Sequence, residues 1–498
     1  MKTKDSALPY ADLLERIKVA LPENTSVHLV GGAVRDFLLN RTTHDLDFVL
    51  PKDAIAISRK VANTLGAPFY PIDPERDTGR ILVTDPTGVR LVLDFAAYRG
   101  PDLESDLRGR DFTINAIAVD LRRSHSLFDP LGGINDLREG VLRTCSEAAF
   151  LSDPIRILRV VRQAVEFGFR ILPETRRLIQ PAIPGLSRTS PERLRDELFR
   201  ILEGSKSTSA LRILDVLGVL QSILPELTAL QELTQSPPHT SDVWEHTLST
   251  TQELANIMDV LAPEYNPEAG TNLTMGLIAL RLGRYRQPLY EHLSKPLNPE
   301  RSLHSLLLFA ALYHDVGKPA CRQVLEDGSI HFLEHERLGA QLVAKRCEEL
   351  HLSKVEIDRI QLVVRNHMRP VFLAHDGAQP SRRAIYRFYR DCGEAGVDIC
   401  LLSLADILAT YGPSLVQEVW THHLDVIRVL LESFWEQKQE KVSPPILLNG
   451  DEIMRVFNLK PGPQIGRLLE VIRETQAAGE LHDYQEALIF ARAWLEKN

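Results

Sequence analysis

The sequence predicts a multidomain α+β protein, with one mixed α/β block followed by three blocks that are mostly helical. Three observations carry that expectation. At 498 residues the chain exceeds a single core and suggests roughly three or four domains. Strand-type runs are confined to about residues 25–140, and helical periodicity takes over after Gly140. Pro237-Pro238 and Ser443-Pro444-Pro445 then break the helical part into pieces.

In the first block, residues 1–140, the runs Val27–Val30, Asp47–Leu50, Arg80–Thr84, Val89–Phe95 and Ile114–Asp120 read as strands. Asp85-Pro86-Thr87-Gly88 separates two of them as a hairpin turn, because Pro presets φ and Gly tolerates a left-handed position. The second block, residues 141–236, is helical and punctuated by Pro181, Pro184 and Gly185. In Ser190-Pro191-Glu192-Arg193 the Ser-Pro pair marks a helix start. The third block, residues 237–440, contains the apolar helix-like run Leu303–Tyr313, and the fourth covers residues 441–498. There Gly462-Pro463 sets a turn ahead of a long polar helix.

The chemistry concentrates in a few places. Leu29-Val30-Gly31-Gly32-Ala33-Val34-Arg35-Asp36 runs from a strand into a Gly-Gly turn, and Asp45-Leu46-Asp47 follows on the next strand. Residues i and i+2 of a strand face the same way, so Asp45 and Asp47 converge. Two hard oxygen donors on one face suit Mg²⁺, with nucleotide phosphates completing its shell. Glycines let backbone approach a triphosphate closely. A second cluster is Arg110-Asp111-Phe112-Thr113-Ile114-Asn115, and Asp94 on a strand is either a third metal carboxylate or a structural acid. In Asp153-Pro154-Ile155-Arg156-Ile157-Leu158-Arg159-Val160-Val161-Arg162 polar groups recur every third residue, a stripe that stays within reach of one site on a helix. One acceptor and three planar donors can read a base edge and hold phosphates.

Together these motifs resemble the tRNA nucleotidyltransferase and bacterial poly(A) polymerase family, the class II branch of the polymerase-β-like nucleotidyltransferases, over nearly the whole chain. The resemblance implies a polymerase-β-like nucleotidyltransferase head, a helical neck with nucleotide-selecting and RNA-binding helices, an HD-type domain and a C-terminal helical tail. It implies that Asp45 and Asp47 are catalytic Mg²⁺ ligands. It also implies that Gly32, Arg35, Arg110, Asp153, Arg156, Arg159 and Arg162 bind the nucleotide. Ser152 departs from the Glu usual there, which bears on base selectivity. Complete CCA-adding relatives often carry a longer flexible loop where this chain has only Gly100–Gly109, whereas CC-adding relatives lack it.

His314-Asp315 ends the apolar run and is followed by Gly317-Lys318-Pro319. Adjacent His and Asp offer nitrogen and oxygen donors to one divalent ion. With His246 and Asp406 the set resembles the HD phosphohydrolase superfamily, and His335 and His367 stand where its two-metal members add ligands. The resemblance implies a second divalent metal (Mn, Ni, Mg or Fe) and metal-activated water attacking a phosphoester.

Bulk composition fits a large enzyme: 44% hydrophobic and 25% charged residues. The five cysteines form no C-x-x-C pair, and Met1–Pro9 is polar. The expectation is a reducing, cytoplasmic setting with no disulfide framework, no signal peptide and no apolar run of membrane-spanning length. A net charge of −9 neither requires nor excludes RNA, because phosphates are neutralised locally. The leading reading is addition or repair of the 3′-terminal CCA of tRNA, or only its CC, from CTP and ATP without a nucleic-acid template. The expected partners are the tRNA 3′ end and these nucleotides, with no membrane and no DNA. A poly(A) polymerase, or chiefly an HD phosphohydrolase with a degenerate head, are the alternatives.

Overall fold

A computed structural model describes residues 10–23, 25–85, 88–123, 126–264, 272–298, 301–374 and 377–497. The expected polar start Met1–Pro9 and the Pro86-Thr87 centre of the hairpin turn lie outside the described residues. The chain divides into two compact units: Met1–Glu197 with Ser209–Ile223, and Leu198–Thr208 with Leu224–Asn498.

The first unit is built on a seven-stranded sheet. Its strands are β1 (His28–Val30), β2 (Asp45–Leu50), β3 (Phe69–Asp73), β4 (Thr78–Thr84), β5 (Arg90–Ala97), β6 (Ala118–Asp120) and β7 (Leu127–Phe128). They lie in the order β3-β4-β5-β2-β1-β6-β7, and only β2 and β5 run parallel. Alternation does the sorting. Leu46, Phe48 and Leu50 on β2 and Leu91, Leu93 and Phe95 on β5 are buried on one face, where Phe48 stacks on Phe95 at 4.6 Å. The helix Ala54–Leu65 packs on β4 and β5.

One expectation needs correction here. Strands do not vanish after Gly140: Val141–Leu142 pairs in parallel with Arg170–Ile171, and small two-stranded pairs recur later. These pairs are too short to leave a period-2 pattern in the sequence. The tether between β5 and Arg110 is short, as expected. It contains the helix Leu103–Arg108, capped where Asp102 Oδ1 accepts from Ser105 N at 2.8 Å.

In the second unit the helix Ala395–Tyr411 is buried along almost its whole length. The helices Val243–Val260 and Lys354–Asn366 pack on it, and Leu303–Tyr313 packs on both of these. The segment Ala395–Ser414 is long and apolar enough to cross a membrane, contrary to the expectation that no such run exists, and most of it is enclosed by the fold. It is apolar because it is surrounded by other helices. The last three helices, Gly450–Phe457, Pro463–Ala477 and Tyr484–Lys497, share a separate apolar cluster around Ile453, Leu468 and Ile472.

One ion pair in this unit is fully enclosed. Arg301 Nε and Nη2 donate to the two oxygens of Glu356 at 2.7 and 3.1 Å, with side chains 4% and 0% exposed. Glu356 also closes the capping box of the Lys354–Asn366 helix. Removing one partner strands a buried charge. Glu356→Ala should therefore destabilise this unit by about 3–5 kcal/mol, read as a lower denaturation midpoint for its transition in the full chain.

Candidate functional site

The first site is the less buried side of β2 and β5. Burial of Leu46, Phe48 and Leu50 turns Asp45 and Asp47 to the opposite face. The parallel register sets Asp47 beside Asp94, so three carboxylates share that face. Arg80 forks onto Asp94, with Nε and Nη2 both at 2.8 Å. Asp45 has no side-chain hydrogen bond or ion pair among the described residues. Burial pushes the Asp47 carboxyl up. Arg110 opposes this, and the neighbouring Asp94 and Asp45 add to it. A group of acids with one member raised and another unpaired is what a hard divalent cation neutralises, so the residues present fit a divalent metal.

Gly31 is the glycine that matters beside this face. Its φ is +75°, and a Cβ there would lie 3.0 Å from Asp47 Oδ2 and 3.2 Å from Arg110 Nη1. Gly32 opens the helix Gly32–Leu38. Arg35 donates to Asp36 at 2.9 and 3.0 Å and to Asn115 Oδ1 at 2.8 Å, and lies over the Phe167 ring at 4.7 Å. Its guanidinium is thus spent on bracing. Asn115 in turn donates to Asp111 Oδ1 at 2.9 Å and to Gln163 at 3.3 Å. This buried amide, the last residue of the Arg110–Asn115 cluster, ties the Gly-Gly helix, the Arg110-Asp111 turn and the Arg156–Phe167 helix together.

The polar stripe is divided between tasks. Asp153 lies outside the Arg156–Phe167 helix, because Pro154 disfavours helical backbone at the residue before it. It accepts from Arg193 Nη2 at 2.8 Å, with Arg156 Nε 3.7 Å away. Arg156 is 7% exposed and donates to the carbonyls of Gly109, Arg110 and Ala149 at 2.8, 3.2 and 3.3 Å, clamping the turn that carries Arg110. Arg159 stands 3.6 Å from Asp111 and 3.5 Å from Glu197, while Arg162 bonds Glu197 at 2.6 Å. Arg193 and Glu197 sit on the helix Pro191–Glu203 in what reads as an ordinary charged face, so only the long-range contacts expose their part.

The second site gathers every residue expected of it. His246 comes from the Val243–Val260 helix, His314 and Asp315 from the end of Leu303–Tyr313, and His335 begins His335–Glu349. His367 caps Lys354–Asn366, and Asp406 lies on Ala395–Tyr411. Asp315 is the hinge of the cluster. Its Oδ2 is 3.5 and 3.2 Å from Nε2 of His246 and His314, and its Oδ1 is 3.2 and 3.9 Å from Nε2 of His335 and His367. Asp406 Oδ1 adds to the first group, 3.1 Å from His246. Two sets of convergent donors therefore share one carboxylate, and all of these groups are buried.

The imidazoles are held for this purpose. His314, His335 and His367 each donate Nδ1–H to the carbonyl three residues back, Ala311, Phe332 and Val364, at 2.7, 2.8 and 2.7 Å. That leaves each Nε2 facing the centre. Burial, with His314 and His335 nearby, pushes His367 down to about 3, which keeps it a neutral donor. Burial opposes ionisation of Asp315, but His314 and Lys318 hold its carboxyl well below the usual range. Lys318 Nζ reaches Asp315 Oδ2 at 2.6 Å. Gly317 permits the assembly, since a Cβ there would meet the His335 carbonyl oxygen at 2.1 Å.

An acid-faced sheet with a Gly-Gly turn, followed in the same chain by a His/Asp centre, defines a nucleotidyltransferase-type head joined to an HD domain. Family models agree: "Poly A polymerase head domain" matches residues 27–143, "Probable RNA and SrmB- binding site of polymerase A" residues 168–231, and "HD domain" residues 271–411. The A-adding tRNA nucleotidyltransferase of Deinococcus radiodurans is 34% identical over 477 residues, covering 94% of this chain and 95% of that one. The CC-adding tRNA nucleotidyltransferase of Thermus thermophilus is 31% identical over 473 residues, covering 93% of each. Among solved structures, the apo form I of a CCA-adding enzyme matches with a TM-score of 0.62 at 22% identity, covering 97% of this chain and 94% of that one. The Thermotoga maritima CCA-adding enzyme complexed with tRNA gives 0.57, also at 22% identity and over the same shares, and both likenesses concern the fold. The chain belongs to the tRNA nucleotidyltransferase family.

The two donor sets of the second site should titrate separately. With Mn²⁺ or Ni²⁺, replacing His335 and His367 by Ala should remove one bound ion per chain and leave the ion of the His246 side. The measurement is metal content by mass spectrometry after gel filtration, with native circular dichroism as the control.

Proposed function

We propose that this protein adds nucleotides to the 3′ end of tRNA from CTP and ATP without a nucleic-acid template. The observation that carries this reading is the carboxylate face, where Asp45 and Asp47 converge beside a glycine whose missing side chain leaves room for phosphates. The full-length similarity to tRNA nucleotidyltransferases supports the same substrate over a poly(A) polymerase.

In this reading Asp45 and Asp47 are the ligands for Mg²⁺, which when bound lowers the cost of charge on the attacking hydroxyl and the leaving pyrophosphate. Gly31 and Gly32 admit the triphosphate, and Arg110 offers Nη1 next to Asp47. Asp153, released from Arg193, and Arg159 present the acceptor and donors for a base edge. Arg156, Arg35 and Asn115 hold these groups in place. The four blocks 1–140, 141–236, 237–440 and 441–498 then serve as head, neck, HD domain and tail. In the HD domain His246, His314, Asp315 and Asp406, with His335 and His367, would hold divalent metal for phosphoester hydrolysis.

A short helical tether before Arg110 has few conformations to exchange between a CTP-shaped and an ATP-shaped pocket. We infer on that ground that C addition is efficient and terminal A addition weak. The Deinococcus radiodurans relative favours a second reading, addition of the terminal A alone.

The deciding experiment supplies tRNA ending before CCA, after C or after CC, with Mg²⁺ and labelled CTP or ATP. Incorporation of C without A supports the first reading, efficient A onto CC-ended tRNA supports the second, and a long A tail on generic RNA rejects both. Asp45→Ala or Asp47→Ala should lower incorporation by about three orders of magnitude or more, because each removes a ligand of the cation that holds both reactive ends. Near-normal transfer by both would refute the site. The double variant His314→Ala with Asp315→Ala should lose metal-dependent phosphodiesterase activity and keep nucleotide addition, as measured by parallel assays on one preparation.

A further inference from the structure

The last three helices, Gly450–Phe457, Pro463–Ala477 and Tyr484–Lys497, have an apolar core of their own. Among the described residues every member of that cluster lies between Leu447 and Leu495, so it takes none from the rest of the unit. Ser443-Pro444-Pro445 precedes it, the composition of an interdomain linker. The helix Arg382–Cys392 of the HD domain meets this tail. One face of that helix, with Ile385, Phe388 and Tyr389, is buried. Tyr389 there stacks on Phe434 and donates to the carbonyl of Leu430 at 2.7 Å. The other face carries Arg383, Arg387 and Arg390, one turn apart.

Acids of the tail answer those arginines. Glu474 on the Pro463–Ala477 helix is central: its Oε1 accepts from Arg387 Nη2 at 2.6 Å and lies 3.2 Å from Arg383 Nε. Arg390 Nη1 donates to Glu470 at 3.0 Å, and Tyr386 donates to the same oxygen at 3.5 Å. Arg383 Nη2 donates to Glu480 at 3.2 Å, and Arg382 Nε to the carbonyl of Ala477 at 3.0 Å. The arginine side chains at 383, 387 and 390 stay 42, 54 and 36% exposed, so water and ions reach them. Exposed ion pairs are individually weak and are screened by salt. Lifting the tail off this face would leave its own core closed.

We propose that the tail is a separately folded cover, latched by charge over the arginine face of the Arg382–Cys392 helix, and that a chain of phosphates unlatches it. A guanidinium fork takes phosphate oxygens in the same geometry as carboxylate oxygens, so a row of phosphates competes with Glu470, Glu474 and Glu480 for the same donors. An RNA backbone and inorganic polyphosphate share this chemistry, and the test separates them.

Fluorophores carried at the exposed positions Val419, in the HD domain, and Ile489, in the tail, report their separation by energy transfer in the full chain. Raising NaCl to about 1 M, where the screening length falls to about 3 Å, should lengthen that separation while the helical circular dichroism stays constant. Glu470→Lys with Glu474→Lys should open the latch already at low salt. Adding Arg387→Glu with Arg390→Glu should close it again, because the pairs re-form with their signs exchanged. A separation that ignores salt, or a reversed pair that the exchanged variant does not restore, overturns the latch. Inorganic polyphosphate and tRNA are then titrated into the wild type at constant ionic strength. Opening by both assigns the arginine face to phosphate chains in general, and opening by tRNA alone assigns it to RNA. A separation that neither changes overturns the competition.

Discussion

The parallel pairing of β2 with β5 is the constraint from which the head follows. It brings Asp47 level with Asp94 and, with Asp45, concentrates negative charge on one face of the sheet. Every nearby feature answers to that charge. Arg80 forks onto Asp94, Arg110 is held at the right height by Asp106, and the Arg110 turn is clamped by the buried guanidinium of Arg156. The buried apolar residues on the other side of the same strands hold the acids rigidly, because side chains alternate along a strand.

The second unit meets a comparable problem with helices. Five of them deliver six donors to one place, and three of the imidazoles are oriented by nothing more than the carbonyl of the preceding turn. His314 and His367 can use that bond because the carbonyls of the last turn of a helix lack intrahelical partners, while Phe332 lies ahead of the helix that His335 begins. The buried Ala395–Tyr411 helix gives Asp406 a fixed backbone, and the close approach at Gly317 brings His335 within reach of Asp315. Uniting donors so far apart in sequence leaves little freedom for the site to deform, which is the condition metal coordination needs.

Local signals carried much of the fold into view. The strand runs of the head, the Ser190-Pro191 helix start, the apolar Leu303–Tyr313 helix and the helix opening at Pro463 all depend on patterns within a few residues. What escaped detection was short or was decided by neighbours. The two-residue strands have no periodicity to read, and the Ala395–Tyr411 helix is apolar for reasons of burial that composition does not declare. The Leu103–Arg108 helix was hidden in a stretch short enough to pass for a tether.

Sequence alone determined which residue types could do chemistry and which of them share a face, because strand alternation and motif spacing are local. Asp45 and Asp47 were legible in that way, whereas the roster His246, His314, Asp315, His335, His367 and Asp406 was assembled from its resemblance to HD phosphohydrolases. Tertiary structure alone decided which acceptors the arginine cations meet. Arg35 and Arg156 look like free donors in the chain and are bonded to Asn115 and to main-chain carbonyls in the fold. The reason is physical. A guanidinium's role is set by which acceptors surround it and how much water remains, and those neighbours come from parts of the chain that only folding brings together.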